Sequence, residues 1–150
     1  MTQKTGVRIE GLAEVQTALR ELPNATAKNI MRRILKKRGE PIADAARQKV
    51  PVDKGHLKNS ITVATKLVKS QRRKHKKPDK DDVEVYIGPG ADPAAHLQEF
   101  GTVNHPPQPF MRPAWDAEKD KVLDNLREDM WTEIKKAAAR RAKKLAKGGK

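Results

Sequence analysis

The most restrictive feature of the sequence is residues 99–115, a proline-rich segment that also holds most of the aromatic side chains. It contains four of the ten prolines, both Phe residues and one of the two Trp residues. Each proline lacks a backbone N–H and fixes φ, so the proline run cannot be a helix interior or a central strand. Its large apolar side chains must therefore be buried against the same domain or against a partner. These side chains are Phe100, Phe110, Met111 and Trp115.

The rest of the chain is polar and has no cysteine. Hydrophobic residues make up 36% of the 150 positions and aromatic residues 3%. This composition predicts one domain with a modest core and long polar extensions. Disulfides and thiolate chemistry are excluded, and synthesis in the cytoplasm is compatible with this. We expect no transmembrane helix, since no apolar run approaches about 18 residues, and no signal peptide at the N-terminus.

The net charge of +14 is distributed unevenly along the chain. Residues 66–80 carry eight Lys or Arg and one Asp, and residues 134–150 carry eight Lys or Arg and no acid. Residues 81–133 are acidic, with four Lys or Arg against twelve Asp or Glu. Such basic segments either attract phosphate backbones or act as solvated extensions, and both interpretations stay open. The cations that could face DNA or a partner are Lys69, Arg72, Arg73, Lys74, Lys76 and Lys77.

Apolar periodicity predicts helices in the N-terminal third of the chain. A short strand is predicted over residues 7–11, followed by a helix that Pro23 ends. A second helix should end near Val50, with a kink or a break at Gly39-Glu40-Pro41. A smaller basic patch belongs to this second helix and consists of Lys28, Arg32, Arg33, Lys36, Lys37 and Arg38.

The central part of the chain predicts a β-hairpin. Residues 61–68 are rich in β-branched side chains, and residues 83–87 alternate before a Gly-Pro-Gly turn. The long basic loop 69–82 would connect these two antiparallel strands.

Two further helices follow the hairpin. Asp92 should cap a helix over residues 93–100, which Gly101 would end. A long C-terminal helix should begin at Pro113. The predicted fold is therefore α+β: a small antiparallel sheet packed with helices in a single domain, residues 1–135, before a basic and frayed tail, residues 136–150.

No residue pattern predicts catalysis, a metal site or a cofactor. His96 and Glu99 are three residues apart on a predicted helix, but no second helix offers a matching pair of ligands. Gly88-Pro89-Gly90 is not followed by the Lys-Ser/Thr pair of a phosphate loop. No nucleophile elbow is recognisable. We therefore predict that the protein is not an enzyme.

Two segments resemble those of a known family. Val50–Ile61 reads Val-Pro-Val-Asp-Lys-Gly-His-Leu-Lys-Asn-Ser-Ile. His96–Thr102 reads His-Leu-Gln-Glu-Phe-Gly-Thr and is followed by Pro106–Ala114, Pro-Pro-Gln-Pro-Phe-Met-Arg-Pro-Ala. In this order and spacing they resemble the gene-product-ten-like tail-component family of phage Hong Kong 97, over roughly residues 7–135. The sequence departs from the family pattern at two places. Lys54 stands where the family more often has a small hydroxyl residue, and the loop 69–82 is unusual in its length and charge.

The resemblance implies a non-enzymatic structural protein of the virion. It implies a ring, commonly sixfold, at the joint between head and tail, with the double-stranded DNA passing through its bore. The neighbours would be head-completion and tail-tube or terminator proteins, with no membrane contact and with assembly in the host cytoplasm. A tail terminator of the same particle and a small basic nucleic-acid-binding protein are the alternatives.

A ring needs an interface in which one patch meets a different patch of the next subunit. We expect residues 99–115 to form much of it, with Arg112 available to an acidic neighbour. The same segment could instead close the subunit's own core, and both roles are compatible. The interface candidates are Val52, Asp53, Gly55, Leu57, Glu99, Phe100, Gly101, Pro109, Phe110, Met111, Arg112, Pro113 and Trp115.

Overall fold

The computed structural model describes residues 12–148 and is mainly helical, with one small sheet. The predicted strand over residues 7–11 lies outside the described residues. In chain order the elements are α1 (Leu12–Arg20), α2 (Asn24–Lys49), α3 (His56–Ser60), β1 (Thr62–Ala64), α4 (Lys69–Arg72), β2 (Tyr86–Gly88), α5 (Pro93–Phe100) and α6 (Met111–Ala146). The α+β class predicted from the sequence is confirmed.

The two long helices α2 and α6 pack against each other in antiparallel directions. Near the start of α2, Arg33 lies 2.9 Å from Glu133 in the second half of α6. Near the end of α2, Ala46 shares a buried cluster with Ala114 in the first turn of α6. Arg38 and Asp129 form an ion pair between these points. The helix pair therefore forms the axis to which the other elements attach.

Two apolar clusters lie along this axis. One joins α2 and α6 to the hairpin, α5 and the proline-rich loop, and its buried members are Ala43, Ala46, Val50, Ile61, Val63, Ala95, Phe110 and Ala114. The other joins α1 to the opposite end of the pair, and its buried members are Val15, Ile30, Ile34, Met130, Ile134 and Ala137. The core is thus divided between the two ends of the long helices.

Helix α2 is continuous through Pro41, so a broken helix was the wrong alternative. Pro41 is exposed, and the carbonyl that its ring deprives of a partner belongs to Lys37, which is also exposed. Water can satisfy that carbonyl, so no break is required. The predicted end near Val50 is confirmed, since the Val50 N–H donates to Ala46 O at 3.0 Å.

The hairpin forms, but its strands are shorter than predicted. Thr62 is paired with Gly88, Val63 with Ile87 and Ala64 with Tyr86 in antiparallel register. Residues 65–68 and 83–85 were predicted as strand but lie outside the paired register. The long connection between the two antiparallel strands is present, and it contains a short helical turn, α4, that the sequence did not predict.

Gly39 sets the distance between the hairpin and α2. A Cβ atom at this position would lie 2.9 Å from Val63 Cγ1 and 3.1 Å from Ile87 Cδ1. Gly39→Ala should therefore lower the free energy of unfolding by about 1 kcal/mol, because overpacking outweighs the helix propensity that Ala restores. Urea unfolding would measure this change, with Ala→Gly at exposed Ala138 of α6 as a propensity control. A gain in stability for Gly39→Ala would contradict the packing described here.

Helix α6 begins two residues before Pro113, which places this proline in the first turn, where its missing N–H has no intrahelical partner. The helix continues to Ala146, beyond the predicted domain boundary at residue 135. The fraying of residues 136–150 stays a prediction. Within residues 12–148, no helix is long and apolar enough to cross a membrane.

Candidate assembly surface

Helix α5 holds the proline-rich loop in place. The predicted cap is present, since Asp92 Oδ1 accepts the Ala94 N–H at 2.9 Å. At the other end the Gln108 N–H donates to Gln98 O at 2.9 Å, and the two side-chain amides bond at 2.6 Å. The loop is therefore bound to α5 by both backbone and side chains.

Gly101 allows the loop to turn back on α5. Its φ of 75° is in the left-handed region that favours glycine, and its N–H donates to Leu97 O at 2.8 Å. A Cβ atom at this position would lie 2.7 Å from Pro107 N and 2.8 Å from His105 O. Both of these are backbone atoms, so a side chain at residue 101 would displace the loop.

Glu99 fixes the start of α6. Its side chain is only 8% exposed. One carboxylate oxygen accepts the N–H groups of Phe110 at 2.7 Å and Met111 at 3.0 Å. The other accepts the Arg112 N–H at 3.1 Å and Arg112 Nε at 3.2 Å. Unbonded N–H groups at a helix N-terminus favour a negative charge, so Glu99 caps α6 across the loop.

These donors control the ionisation of Glu99. Burial by itself would raise the pKa of this carboxyl, but the N–H groups of Met111, Phe110 and Arg112 and the Arg112 side chain hold the pKa below its usual value. Glu99 is therefore a carboxylate at neutral pH, and its charge is used within the fold of the chain itself.

An apolar patch with one cation covers this framework. Arg112 Cζ lies 4.9 Å from the centre of the Phe100 ring, which is a cation–π distance. Leu97 precedes Phe100 by three residues on α5, and Trp115 follows Arg112 by three residues on α6, so each pair shares a helix face. We call Leu97, Phe100, Arg112 and Trp115 the apolar patch.

The patch is open to solvent. Leu97 is 50% exposed, Phe100 56% and Trp115 52%. Val103, at the tip of the adjoining turn, is fully exposed. Leu97 and Val103 were not among the predicted interface residues, although the spacing of Leu97 and Phe100 on a predicted helix could have indicated Leu97.

The other predicted interface residues divide between the surface and the interior. Glu99 and Phe110 are buried, and Met111 packs partly against the first core cluster. We had expected Arg112 to be available to an acidic neighbour. In the structure it instead donates to Glu99 within the chain. Its side chain is nevertheless 63% exposed and remains accessible. Pro113 is half-buried, Gly101 is partly buried and Pro109 is exposed.

The Val50–Ile61 segment lies against the same core cluster. Gly55 has a φ of 75° directly before α3, and Leu57 packs partly against the cluster that contains Phe110. Val52 is 64% exposed, and Asp53 is also on the surface. The two motif segments therefore meet through one core, although they are separated by more than 30 residues of sequence.

The six predicted cations of the basic loop are all exposed. None of them forms an ion pair with an acidic side chain of residues 12–148. The loop itself is anchored at two points: Gln71 Nε2 donates to Gly90 O at 2.6 Å, and His75 Nε2 lies 3.0 Å from Glu84 Oε2. Across the described residues 12–148, no group of three His, Asp or Glu side chains could bind a metal ion.

The fold and the surface define a class: an α+β protein built on an antiparallel helix pair, with an exposed apolar patch beside a proline-rich loop. A family model described as "Bacteriophage HK97-gp10, putative tail-component" matches residues 13–101, which is more than half of the chain. The chain belongs to this family of phage tail components. The match ends at Gly101, so the proline run and α6 lie beyond it. No curated protein and no solved structure matches the chain.

Proposed function

We propose that the protein is a structural, non-enzymatic component of a phage particle that forms a ring at the joint between head and tail. Its partners are further copies of itself, in a sixfold ring, and the adjoining head-completion and tail-tube or terminator proteins. It assembles in the host cytoplasm and remains in the neck of the virion, with the DNA passing through the ring. The observation that carries this proposal is the apolar patch on its braced loop, in a member of a tail-component family.

The physical support is the combination of exposure and rigidity. Phe100 and Trp115 expose more than half of their surface, and burying such rings is strongly favourable. The loop beside them is held by prolines, by the contact between Gln98 and Gln108 and by the Glu99 cap. A surface that is already ordered loses little conformational entropy when it binds. Such a patch suits one side of a heterologous ring contact.

Trp115→Ser tests the patch in the encoding phage. We expect the variant to keep its thermal midpoint within about 2 °C, because the ring is half exposed. Particles should accumulate as filled heads and complete tails that are not joined, which electron microscopy would count. Ala138→Ser is the control, since Ala138 is exposed on the same helix and lies outside the apolar patch.

The particle phenotype separates the proposal from its rivals. Tails of irregular length would indicate a tail terminator instead. Normal joined particles from a stably folded Trp115→Ser variant would contradict the role of the patch.

A nucleic-acid-binding protein is the second candidate, favoured by the exposed cations of the basic loop. Light scattering of the purified protein at two salt concentrations, with and without duplex DNA, together with the particles of a phage that lacks the protein, distinguishes the two. A monomer that binds duplex tightly with a steep salt dependence, from a phage whose heads and tails join normally without the protein, would favour the second candidate. A defined oligomer, or a monomer whose loss leaves heads and tails unjoined, would favour the ring component whether or not it binds duplex.

A further inference from the structure

Basic segments that are far apart in the sequence meet at one end of the molecule. The Lys28 ammonium of α2 donates to the backbone carbonyl of Lys80, where the basic loop ends. Next to it, Asn24 Nδ2 donates to Asp81 Oδ1 at 3.0 Å. The returning basic loop is therefore attached to the first turns of α2. Lys76 and Lys77 precede this attachment by only a few residues.

The C-terminal turns of α6 reach the same end. Arg141 donates to the Glu21 carbonyl at 2.7 Å, in the short connection between α1 and α2. Arg140 and Lys144 line a groove against Leu22 and Pro23 of that connection. A second groove, which also includes Leu22, is lined by Arg20, Lys28 and Asp81. We call this surface the basic end, and its cations are Arg20, Lys28, Lys76, Lys77, Lys80, Arg140, Arg141 and Lys144.

Acidic side chains neutralise little of the basic end. Asp81 and Glu21 lie within it, and Asp79 and Asp82 are close by in sequence. No ion pair joins any of the eight cations to an acid of residues 12–148. Many acids of α6 are instead neutralised elsewhere: Glu133 by Arg33, and Asp129 by Arg38. Lysines of α6 also pair with Asp116 and Glu118.

This distribution decides what kind of partner the basic end fits. A second copy of the chain carries the same net charge of +14, so two copies repel each other overall, and four of the seven acids of its α6 are already paired within the chain. A duplex carries one phosphate charge per about 1.7 Å of its axis and releases counterions when cations approach. A surface of unpaired Lys and Arg from several segments matches such a partner.

The basic end and the apolar patch lie at opposite ends of α6. Trp115 is in the second turn of this 36-residue helix, and Lys144 is in its last turn. At 1.5 Å per residue these positions are about 43 Å apart. The two surfaces are thus far enough apart to bind different partners at the same time.

We infer that the basic end is a composite binding surface for the phosphate backbone of duplex DNA, formed jointly by the basic loop, the α1–α2 connection and the C-terminal turns of α6. The inference rests on the proposed function for its biological setting, but the surface is defined by its own contacts and charges. Recognition is through phosphates and independent of base sequence.

Three double variants of the full chain test this surface with a 30-base-pair duplex, using fluorescence anisotropy at several salt concentrations. The first is Arg140→Gln/Lys144→Gln in α6, and the second is Lys76→Gln/Lys77→Gln in the loop. The matched control is Lys54→Gln/Lys58→Gln, which removes two exposed cations beside the other end of α2. Circular dichroism melting checks that each variant is folded.

The first two variants should each weaken binding at least about tenfold at 0.1 M salt and reduce the salt slope by about 2. The control should change the slope by less than about 1. Equal losses in all three variants would show that only total charge matters and would overturn the composite surface. So would a loss confined to the loop variant, or a wild-type chain that does not bind duplex at 0.1 M salt.

These outcomes are independent of the particle phenotype. If Trp115→Ser particles fail to join but the α6 variant binds DNA normally, the ring proposal stands and the composite surface falls. If the α6 and loop variants lose DNA binding while Trp115→Ser particles join normally, the composite surface stands and the proposed role of the apolar patch falls.

Discussion

Glu99→Gln is expected to lower the free energy of unfolding by about 3 kcal/mol, because it removes a buried charge that three backbone N–H groups and Arg112 surround. A Gln amide offers one acceptor oxygen, and its NH₂ group would face N–H donors. Thermal or urea unfolding would measure the loss at pH 7. Glu40→Gln is the control, since the Glu40 side chain is 46% exposed and lies 3.6 Å from Arg47, and its replacement should cost less than about 0.5 kcal/mol.

The effect of Glu99→Gln should depend on pH in a defined direction. The folded state lowers the pKa of Glu99, so the stabilisation by its carboxylate is complete above the unfolded-state pKa of about 4.3. It is lost as the pH falls through the lower, folded-state pKa. The difference in stability between wild type and variant should therefore shrink below about pH 4. A difference that stays constant from pH 7 to pH 3 would show that the charge of Glu99 has no role.

Phe110→Ala should destabilise the protein still more, by about 4 kcal/mol, because it leaves a cavity in the core. Phe110 is 1% exposed and shares its cluster with Ala43, Ala46 and Ala114, whose short side chains cannot extend to fill the space. Urea unfolding would give the free energy. Phe110→Leu, which preserves most of the apolar volume, should cost less than half as much.

Phe110→Ala also separates the two roles proposed for residues 99–115, which are closing the core and forming an interface. Since Phe110 is internal, its removal should impair assembly only in proportion to the loss of folded protein. Trp115→Ser should impair assembly without that loss of stability. A stable Phe110→Ala variant, within about 0.5 kcal/mol of wild type, would contradict the core position of this ring.

Local signals predicted the individual elements well. Asp92, Pro93 and Gly101 marked both ends of α5 correctly, since capping and left-handed backbone are decided within a few residues. Of the two alternatives predicted at Pro41, the break was wrong, because an exposed position in a long packed helix tolerates the missing hydrogen bond. It also overestimated the strands, because β-branched composition does not reveal where the partner strand ends.

The candidate site was predicted only in part. The apolar content of residues 99–115 indicated a special segment, but its residues could not be divided between core and surface from the sequence. Phe110 and Trp115 are both aromatic and five residues apart, yet one is buried and the other half exposed. That division depends on which faces of α5 and α6 meet, which no local pattern encodes.

The sequence by itself determined the α+β class, the order of elements, the proline-braced segment and the family to which the chain belongs. These follow from periodicity, capping residues and motif order, all of which act over short stretches of chain. Only the tertiary structure decided that Glu99 caps α6 and that the Arg112 side chain pairs with it. It likewise brought the loop, the α1–α2 connection and the end of α6 together into one basic surface. Those contacts join residues 11 to 120 positions apart, and packing of the antiparallel helix pair brings them together.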